Sequence, residues 1–98
     1  MHCLTVIYPR PADEAAFKNY YENTHMALVR KLPGLKRMHH AYPEPVGPSE
    51  VFCIFQAYFE SGEAMGAAMA SQAGQDVALD VTNYSPEGAQ VFHFPVKE

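Results

Sequence analysis

A histidine and a tyrosine lie one helical turn apart in the segment NYYENTHMALVRKLPGLKR, residues 19–37. Tyr21 and His25 share one side of the predicted helix, and His25 falls at the edge of its apolar stripe. A ring nitrogen left unpaired there would cost about 1–3 kcal/mol, and the Tyr21 hydroxyl can supply a partner. Because imidazole titrates near neutral pH, the pair has the chemistry of proton transfer, with His25 as general acid or base. A hydrogen-bonded boundary histidine without a chemical role is the alternative.

Motifs for other chemistry are absent from the sequence. It contains no glycine-rich phosphate-binding motif, no nucleophile elbow, no paired-cysteine motif and no HExxH zinc motif. His39 and His40 are adjacent on a predicted strand, so their side chains point to opposite faces and cannot easily share one ion. We therefore expect no metal and no cofactor. Cys3 and Cys53 fall in predicted strands and are expected to be buried free thiols.

The composition limits the classes of partner. The chain has 98 residues, 48% of them apolar, and a formal charge of −4. This is enough apolar sequence for one core, so a single domain over residues 1–98 is expected. The acidic balance argues against nucleic acid and against anionic membrane surfaces as partners. No stretch is long and apolar enough to span a bilayer, and the N-terminus is typical of a strand rather than a secretory signal, so a cytoplasmic location is expected.

The changing period of the apolar residues indicates the order of the elements. Strands are predicted at residues 3–8, 35–42, 51–59 and 89–96, with a loop at 43–50 and a turn at 85–88. A helix over residues 13–31 is capped by Asp13 and ended by Pro33 and Gly34. Its buried stripe is predicted to comprise Phe17, Tyr21, Thr24, Leu28 and Leu32. A second helix begins at Ser61, and a further helical turn lies within residues 72–84.

The order β-α-β-β-α-β predicts an α+β, ferredoxin-like fold, in which two helices cover one face of a four-stranded antiparallel sheet. The first and third strands are expected at its centre. Both alternating sets of the strand at 51–59 are apolar: Val51, Cys53, Phe55, Ala57 and Phe59 on one side, and Phe52, Ile54 and Tyr58 with the polar Gln56 on the other. Exposing a second apolar face to water costs about 25 cal/mol per Å². A homodimer packed through the sheet faces is therefore predicted.

Several motifs together resemble the EthD family. The first strand ends in YPRP, the helix that follows contains FxxYYxxxH, and LVxKLPGL comes next. The run FxxYFESxEA, from Phe55 to Ala64, is also similar to the family. The resemblance extends from Leu4 to about Pro95, and its most specific part is His25 followed by the Leu32-Pro33-Gly34-Leu35 sequence.

This resemblance implies a dimeric α/β barrel of ferredoxin-like subunits. Some EthD-like proteins are cofactor-independent enzymes that act on small cyclic or aromatic compounds, among them lactone isomerases and polyketide cyclases. In such members a histidine at a place matching His25 is the general acid or base. The lactone-isomerase branch also uses a cysteine late in the third strand, where this chain has Ala57, and Cys53 is displaced from that place. A thiol role is therefore not expected.

The predicted site is a cleft between the first helix and the sheet. Its catalytic residues are His25 and Tyr21, and its substrate-binding residues are Leu28, Leu32, Phe55 and whichever of His39 and His40 faces inward, with His40 preferred. The expected function is isomerisation, dehydration or decarboxylation of a small apolar ring compound in catabolism. The alternatives are a cofactor-free monooxygenase of the antibiotic-biosynthesis type, a non-catalytic ligand-binding accessory subunit and, more remotely, a haem-binding protein.

Overall fold

The computed structural model describes every residue of the chain, Met1–Glu98. Its strands are β1 (His2–Pro9), β2 (Arg37–Ala41), β3 (Val51–Phe59) and β4 (Gln90–Pro95). Its helices are α1 (Glu14–Tyr20), α2 (Met26–Val29), α3 (Gly62–Ala70) and α4 (Gln72–Tyr84), and a π-helical segment, Tyr21–His25, joins α1 to α2. The strands form one antiparallel sheet in the order β2-β3-β1-β4. The predicted ferredoxin-like α+β fold, with the first and third strands at its centre, is confirmed.

The helices begin at side-chain caps. Asp13 and Ser61 each accept a hydrogen bond from the backbone N–H three residues further on, as the sequence predicts. Ser71 caps α4 in the same way. The prediction of only a helical turn within residues 72–84 is wrong, because α4 is a helix of 13 residues. Most of its residues are polar or small, and Ala73, Val77 and Val81 on its inner side are only half-buried, so the segment has little overall hydrophobicity to mark it as a packed helix.

The π-helical segment changes the buried side of the first helix. A π-helical turn contains an extra residue, so the residues after it are rotated relative to a regular α-helix. Thr24 is exposed and Leu28 only half-buried, whereas Met26 and Val29 are buried. The predicted stripe is therefore wrong at Thr24 and Leu28, whereas Leu32 is buried as predicted. The same rotation moves His25 from the edge of the stripe into the core, where it is 2% exposed.

The sheet has one covered and one open face. Leu4, Phe55 and Ala57 are buried on the side that the helices cover, and Ile54, Gln56 and Tyr58 are half-buried on the other. Phe52 departs from the predicted alternation. The register passes from Tyr8 opposite Cys53 to Pro9 opposite Val51, which leaves Phe52 as an extra residue in a bulge. Its ring is buried and packs edge-on against the ring of Phe17 under the helices.

An aromatic cluster occupies the core between the sheet and the helices. Tyr8 of β1, Phe17, Tyr21 and Tyr84 of α4 pack with ring centroids 5.3–5.5 Å apart. Both cysteines are buried free thiols, as predicted. None of the helices has the length and apolarity that crossing a membrane requires.

Candidate functional site

His25 is buried with both ring nitrogens hydrogen-bonded. Its Nδ1 lies 2.9 Å from Oδ2 of Asp80, and its Nε2 lies 3.0 Å from the Tyr84 hydroxyl oxygen. A carboxylate only accepts hydrogen bonds, so Nδ1 carries the proton and donates it to Asp80. In the neutral ring Nε2 is then an acceptor, and the Tyr84 hydroxyl donates to it. This network therefore assigns a single tautomer to His25.

Asp80 is held in place by two further donors. The Tyr20 hydroxyl donates to its Oδ1 at 2.6 Å, and Nδ2 of Asn83 donates to the same oxygen at 2.9 Å. Burial acts to raise the pKa of Asp80, but the hydrogen bonds from Tyr20, Asn83 and His25 outweigh it, and the pKa is lowered. Asp80 is thus an oriented carboxylate at neutral pH.

The charge state of His25 follows from two opposing effects. Burial lowers its pKa because the imidazolium loses hydration, while the hydrogen bond and the charge of Asp80 act to raise it. The net effect is a pKa below the ordinary value of 6.5. His25 is therefore a neutral base at pH 7, and a carboxylate is already in contact with it to stabilise the cation that proton uptake would form.

The hydrogen-bonded chain continues to β1. The hydroxyl oxygens of Tyr84 and Tyr8 are 2.7 Å apart and buried. Because Tyr84 gives its proton to His25, the Tyr8 hydroxyl must be the donor in this second bond. Each member donates to the next, in the order Tyr8, Tyr84, His25, Asp80. Burial raises the pKa of both tyrosines, so both are neutral phenols.

A cavity of about 380 Å³ lies beside this chain, between the covered face of the sheet and the helices. Twelve of its 14 lining residues are hydrophobic, so it suits a small apolar molecule. Its lining residues with polar side-chain groups are few, namely His25, Tyr8 and Thr82. Val91 of β4 lines the cavity and is 60% exposed, so the cavity opens to solvent along the β4 edge.

The structure brings some of the predicted site residues together and separates others. Leu32 and Phe55 line the cavity with His25. Leu28 does not, because the π-helical segment turns it to the outer surface, where it lines a shallow groove with Asp80. His40 faces the helices, as expected, but it does not line the cavity either. It lies beyond Tyr21, with its ring packed against that residue and its Nε2 3.4 Å from Glu22.

Tyr21 differs from its prediction in the way it contacts His25. Its ring stacks on the imidazole with centroids 5.4 Å apart and an interplanar angle of 19°. Its hydroxyl is buried and makes no hydrogen bond to His25, so the predicted bond is wrong. Tyr84 supplies the hydroxyl instead. The extra residue in the π-helical turn changes which way the two side chains face, although they remain adjacent.

His39 and Cys53 both lie outside the cavity. His39 points to the open face and is 2.9 Å from Gln56, so the adjacent histidines do diverge. Cys53 is buried beneath the helices, and burial raises the pKa of its thiol to about 12. A thiol that stays protonated is a poor nucleophile.

Asp80, Tyr84 and Tyr8 are the residues of the candidate site that sequence reasoning missed. Asp80 and Tyr84 are four residues apart on α4, a spacing that places both on one side of a helix. That spacing is a usable signal, but it required α4 to be recognised as a helix. Tyr8 precedes Pro9 at the end of the first strand, and its polar contact is with a residue 76 positions away.

Comparison with protein families gives one match over most of the chain. The EthD domain model matches residues 9–86. An 11.0 kDa protein encoded in the thcB–thcC intergenic region of Rhodococcus erythropolis is 37% identical over 90 residues, which cover 90% of this chain and 87% of that protein.

Solved structures share the whole fold. An EthD family protein from Bacillus halodurans is similar with a TM-score of 0.90 and 27% identity, over 99% of each chain. A dimeric ferredoxin-like protein from Jannaschia has a TM-score of 0.72 and 18% identity, over 98% of this chain and all of that one. SnoaB, a cofactor-independent oxygenase from Streptomyces nogalater, has a TM-score of 0.68 and 16% identity, over 99% and 92%. At these identities the last two comparisons concern the fold alone.

Proposed function

Because this chain belongs to the EthD family, we propose that it is a cofactor-independent enzyme in which His25 moves a proton on a small cyclic or aromatic compound. The observation that carries the proposal is the position of a neutral, buried imidazole between the Asp80 carboxylate and an apolar cavity. A buried histidine that served only packing would not need a carboxylate that is itself held by two other donors.

The proposed chemistry is isomerisation, dehydration or decarboxylation. A carbon next to a carbonyl group gives up a proton, and the electron pair moves onto the carbonyl oxygen as an enolate. The proton ends on Nε2 of His25, and the imidazolium is stabilised by Asp80 across 2.9 Å. Return of the proton to another carbon completes an isomerisation, and its transfer to a leaving hydroxyl completes a dehydration. These steps need no electron acceptor.

The cavity indicates the class of substrate. Its mostly hydrophobic lining favours a compact ring compound, such as those met in small-molecule catabolism, over a sugar or a nucleotide. Tyr8 and Thr82 are the lining residues whose hydroxyls are able to orient a carbonyl or hydroxyl group. We propose Leu32 and Phe55 as packing surfaces for the ring and Tyr21 as a positioning residue, which holds the imidazole by stacking on it.

His25→Gln is the first test, with β-tetralone as the probe. This bicyclic aromatic ketone has acidic protons next to its carbonyl group, and their exchange in D2O is followed by proton NMR. The wild-type protein should accelerate the exchange over buffer, and His25→Gln should reduce that acceleration about 100-fold. The rate should fall as the pH drops through the lowered pKa of His25, because the neutral form is the base.

Tyr42→Phe provides the control for this test. Tyr42 donates its hydroxyl to Glu22 at 2.6 Å and does not line the cavity, so its loss should leave the exchange rate within about twofold. Binding of β-tetralone without any acceleration by the wild type would instead support an accessory ligand-binding protein. Equal acceleration by wild type and His25→Gln would exclude His25 as the base.

A cofactor-independent oxygenase is the second candidate. The fold is shared with one protein of that activity, SnoaB. A neutral His25 could also deprotonate a phenol to an electron-rich phenolate. Oxygen uptake with a reduced polycyclic phenol distinguishes this candidate from proton transfer alone.

We also propose that the protein is a homodimer formed through the open face of the sheet. Phe92 and Phe94 of β4 lie on that face, 49% and 40% exposed, beside the paired strand residues Thr5 and Cys3. The similar Jannaschia protein is dimeric. Sedimentation equilibrium should give twice the chain mass, and Phe92→Ser combined with Phe94→Ser should give the monomer mass. Leu79→Ser, an equally apolar surface change on α4, should leave the dimer intact, and a monomeric wild type would contradict the proposal.

A further inference from the structure

The hydrogen-bonded chain raises the question of which atom meets the ligand. Both nitrogens of His25 are already occupied, Nδ1 by Asp80 at 2.9 Å and Nε2 by Tyr84 at 3.0 Å. The imidazole therefore offers the cavity the face and edge of its ring but no free nitrogen. A ligand proton must reach Nε2 through a group that is already bonded to it.

Tyr84 itself is not in a position to take that proton directly. It does not line the cavity, and it lines instead a second cleft together with Tyr20 and Asn83. Its hydroxyl donates to His25 and accepts from Tyr8. Two hydroxyl groups are joined in series to Nε2, first that of Tyr84 and then that of Tyr8. Of these two tyrosines only Tyr8 lines the cavity, so its oxygen is the one that a ligand can reach.

The direction of the hydrogen bonds leaves the Tyr8 oxygen able to accept. Tyr8 uses its own proton to donate to Tyr84 at 2.7 Å. The neighbouring Tyr21 hydroxyl acts as a weak donor that lowers the pKa of Tyr8, and it uses at most one of the two lone pairs of the Tyr8 oxygen. A ligand C–H or O–H in the cavity can therefore point at a lone pair of Tyr8. The hydrogen-bonded series then begins at a free lone pair of Tyr8 and ends at the carboxylate of Asp80.

We propose that Tyr8 is a catalytic residue, the group that exchanges the proton with the ligand, and that Tyr84 relays it to His25. This deepens the proposed function and rests on it. The ligand proton forms a bond to the Tyr8 oxygen as the Tyr8 O–H proton passes to the Tyr84 oxygen and the Tyr84 proton passes to Nε2. The electron pair of the broken ligand bond stays on the ligand as an enolate or phenolate. Both tyrosines end neutral, and the positive charge rests on His25 beside Asp80.

The relay explains why two phenols with raised pKa values occupy the site. A phenolate of either tyrosine would be costly in this buried place, since burial raises the pKa of Tyr8 and of Tyr84. In a concerted relay neither tyrosine is ever charged. The only ion formed on the protein is the imidazolium, for which Asp80 is already in place.

Tyr8→Phe tests the proposal with β-tetralone as the probe. The variant retains the buried ring and its aromatic contacts and removes only the hydroxyl. The exchange turnover number should fall at least about 30-fold, while the KM for β-tetralone changes less than about threefold. Tyr84→Phe should lower the turnover number similarly, because it removes the middle of the relay. Tyr42→Phe is the control with an unchanged rate.

Nitrogen-15 NMR of the His25 ring separates a relay from a structural role. In Tyr8→Phe the Nδ1-protonated tautomer should persist, because Asp80 and Tyr84 still bond the ring. If that tautomer is lost together with activity, Tyr8 acts by supporting the ring and the relay is wrong.

The outcomes separate this inference from the function on which it rests. Loss of exchange in His25→Gln with full exchange in Tyr8→Phe would overturn the relay and leave His25 as the base. No acceleration by the wild type would overturn both.

Discussion

Asp80→Asn should slow the exchange of β-tetralone protons about 100-fold or more, with little change in the affinity for the ketone. The carboxylate accepts from Tyr20 and Asn83 on one oxygen and from Nδ1–H of His25 on the other. An amide has an acceptor at only one of these two places. If the amide NH2 faces His25, the ring must place its proton on Nε2 instead.

The tautomer with its proton on Nε2 would reverse the direction of the hydrogen bonds from His25 through Tyr84 to Tyr8. A protonated Nε2 donates to Tyr84, so Tyr84 must turn its own proton to Tyr8 and Tyr8 must donate into the cavity. The buried base is then lost, because Nε2 already carries a proton and cannot accept one from Tyr84. The same substitution in the Ser-His-Asp triad acts through the tautomer and costs about 10⁴-fold in rate. Nitrogen-15 NMR of the His25 ring reads the tautomer directly.

Asp76→Asn is the matched control for this prediction. Asp76 lies one turn earlier on α4, is exposed, and accepts a hydrogen bond from Gln72 at 2.9 Å. It should leave both the exchange rate and the tautomer of His25 unchanged. A wild-type rate in Asp80→Asn, with the Nδ1 proton still in place, would show that the carboxylate charge is not needed.

Gly74→Ala should lower the free energy of unfolding by about 3 kcal/mol. Gly74 is buried where α3 meets α4, and its N–H donates to the Ser71 cap at 3.2 Å. A Cβ at this position would overlap the carbonyl oxygens of Ala68 and Met69. Because these are backbone atoms, the start of α4 would have to move, and with it the helix that carries Asp80.

Gly66→Ala makes the same chemical change one helix earlier and should have the opposite sign. Gly66 is exposed within α3, and a Cβ there would meet nothing within 4 Å. Alanine is favoured over glycine in a helix by about 1 kcal/mol, so this variant should be slightly more stable than the wild type. Urea denaturation followed by circular dichroism measures both free energies. Equal stability of the two variants would mean that the contact at Gly74 is not tight.

Much of the fold could be predicted because it depends on local patterns. The alternation in residues 51–59, the prolines and glycines between elements, and the caps at Asp13 and Ser61 act over a few residues. They lead to the right order of elements and the right central strands. Helix α4 is the exception, since a helix made mostly of polar and small residues and packed through half-buried side chains carries little overall hydrophobicity.

The sequence by itself determined that His25 lies on an inner side of the first helix and that the fold is ferredoxin-like. Only the tertiary structure decided what His25 contacts. The π-helical turn rotates it into the core, and its partners Asp80 and Tyr84 are 55 and 59 residues away along the chain. A helical period carries no information about which side chain of another element will reach a given nitrogen. That contact depends on how α4 docks on the first helix and on the sheet, which is set by the packing of the whole core.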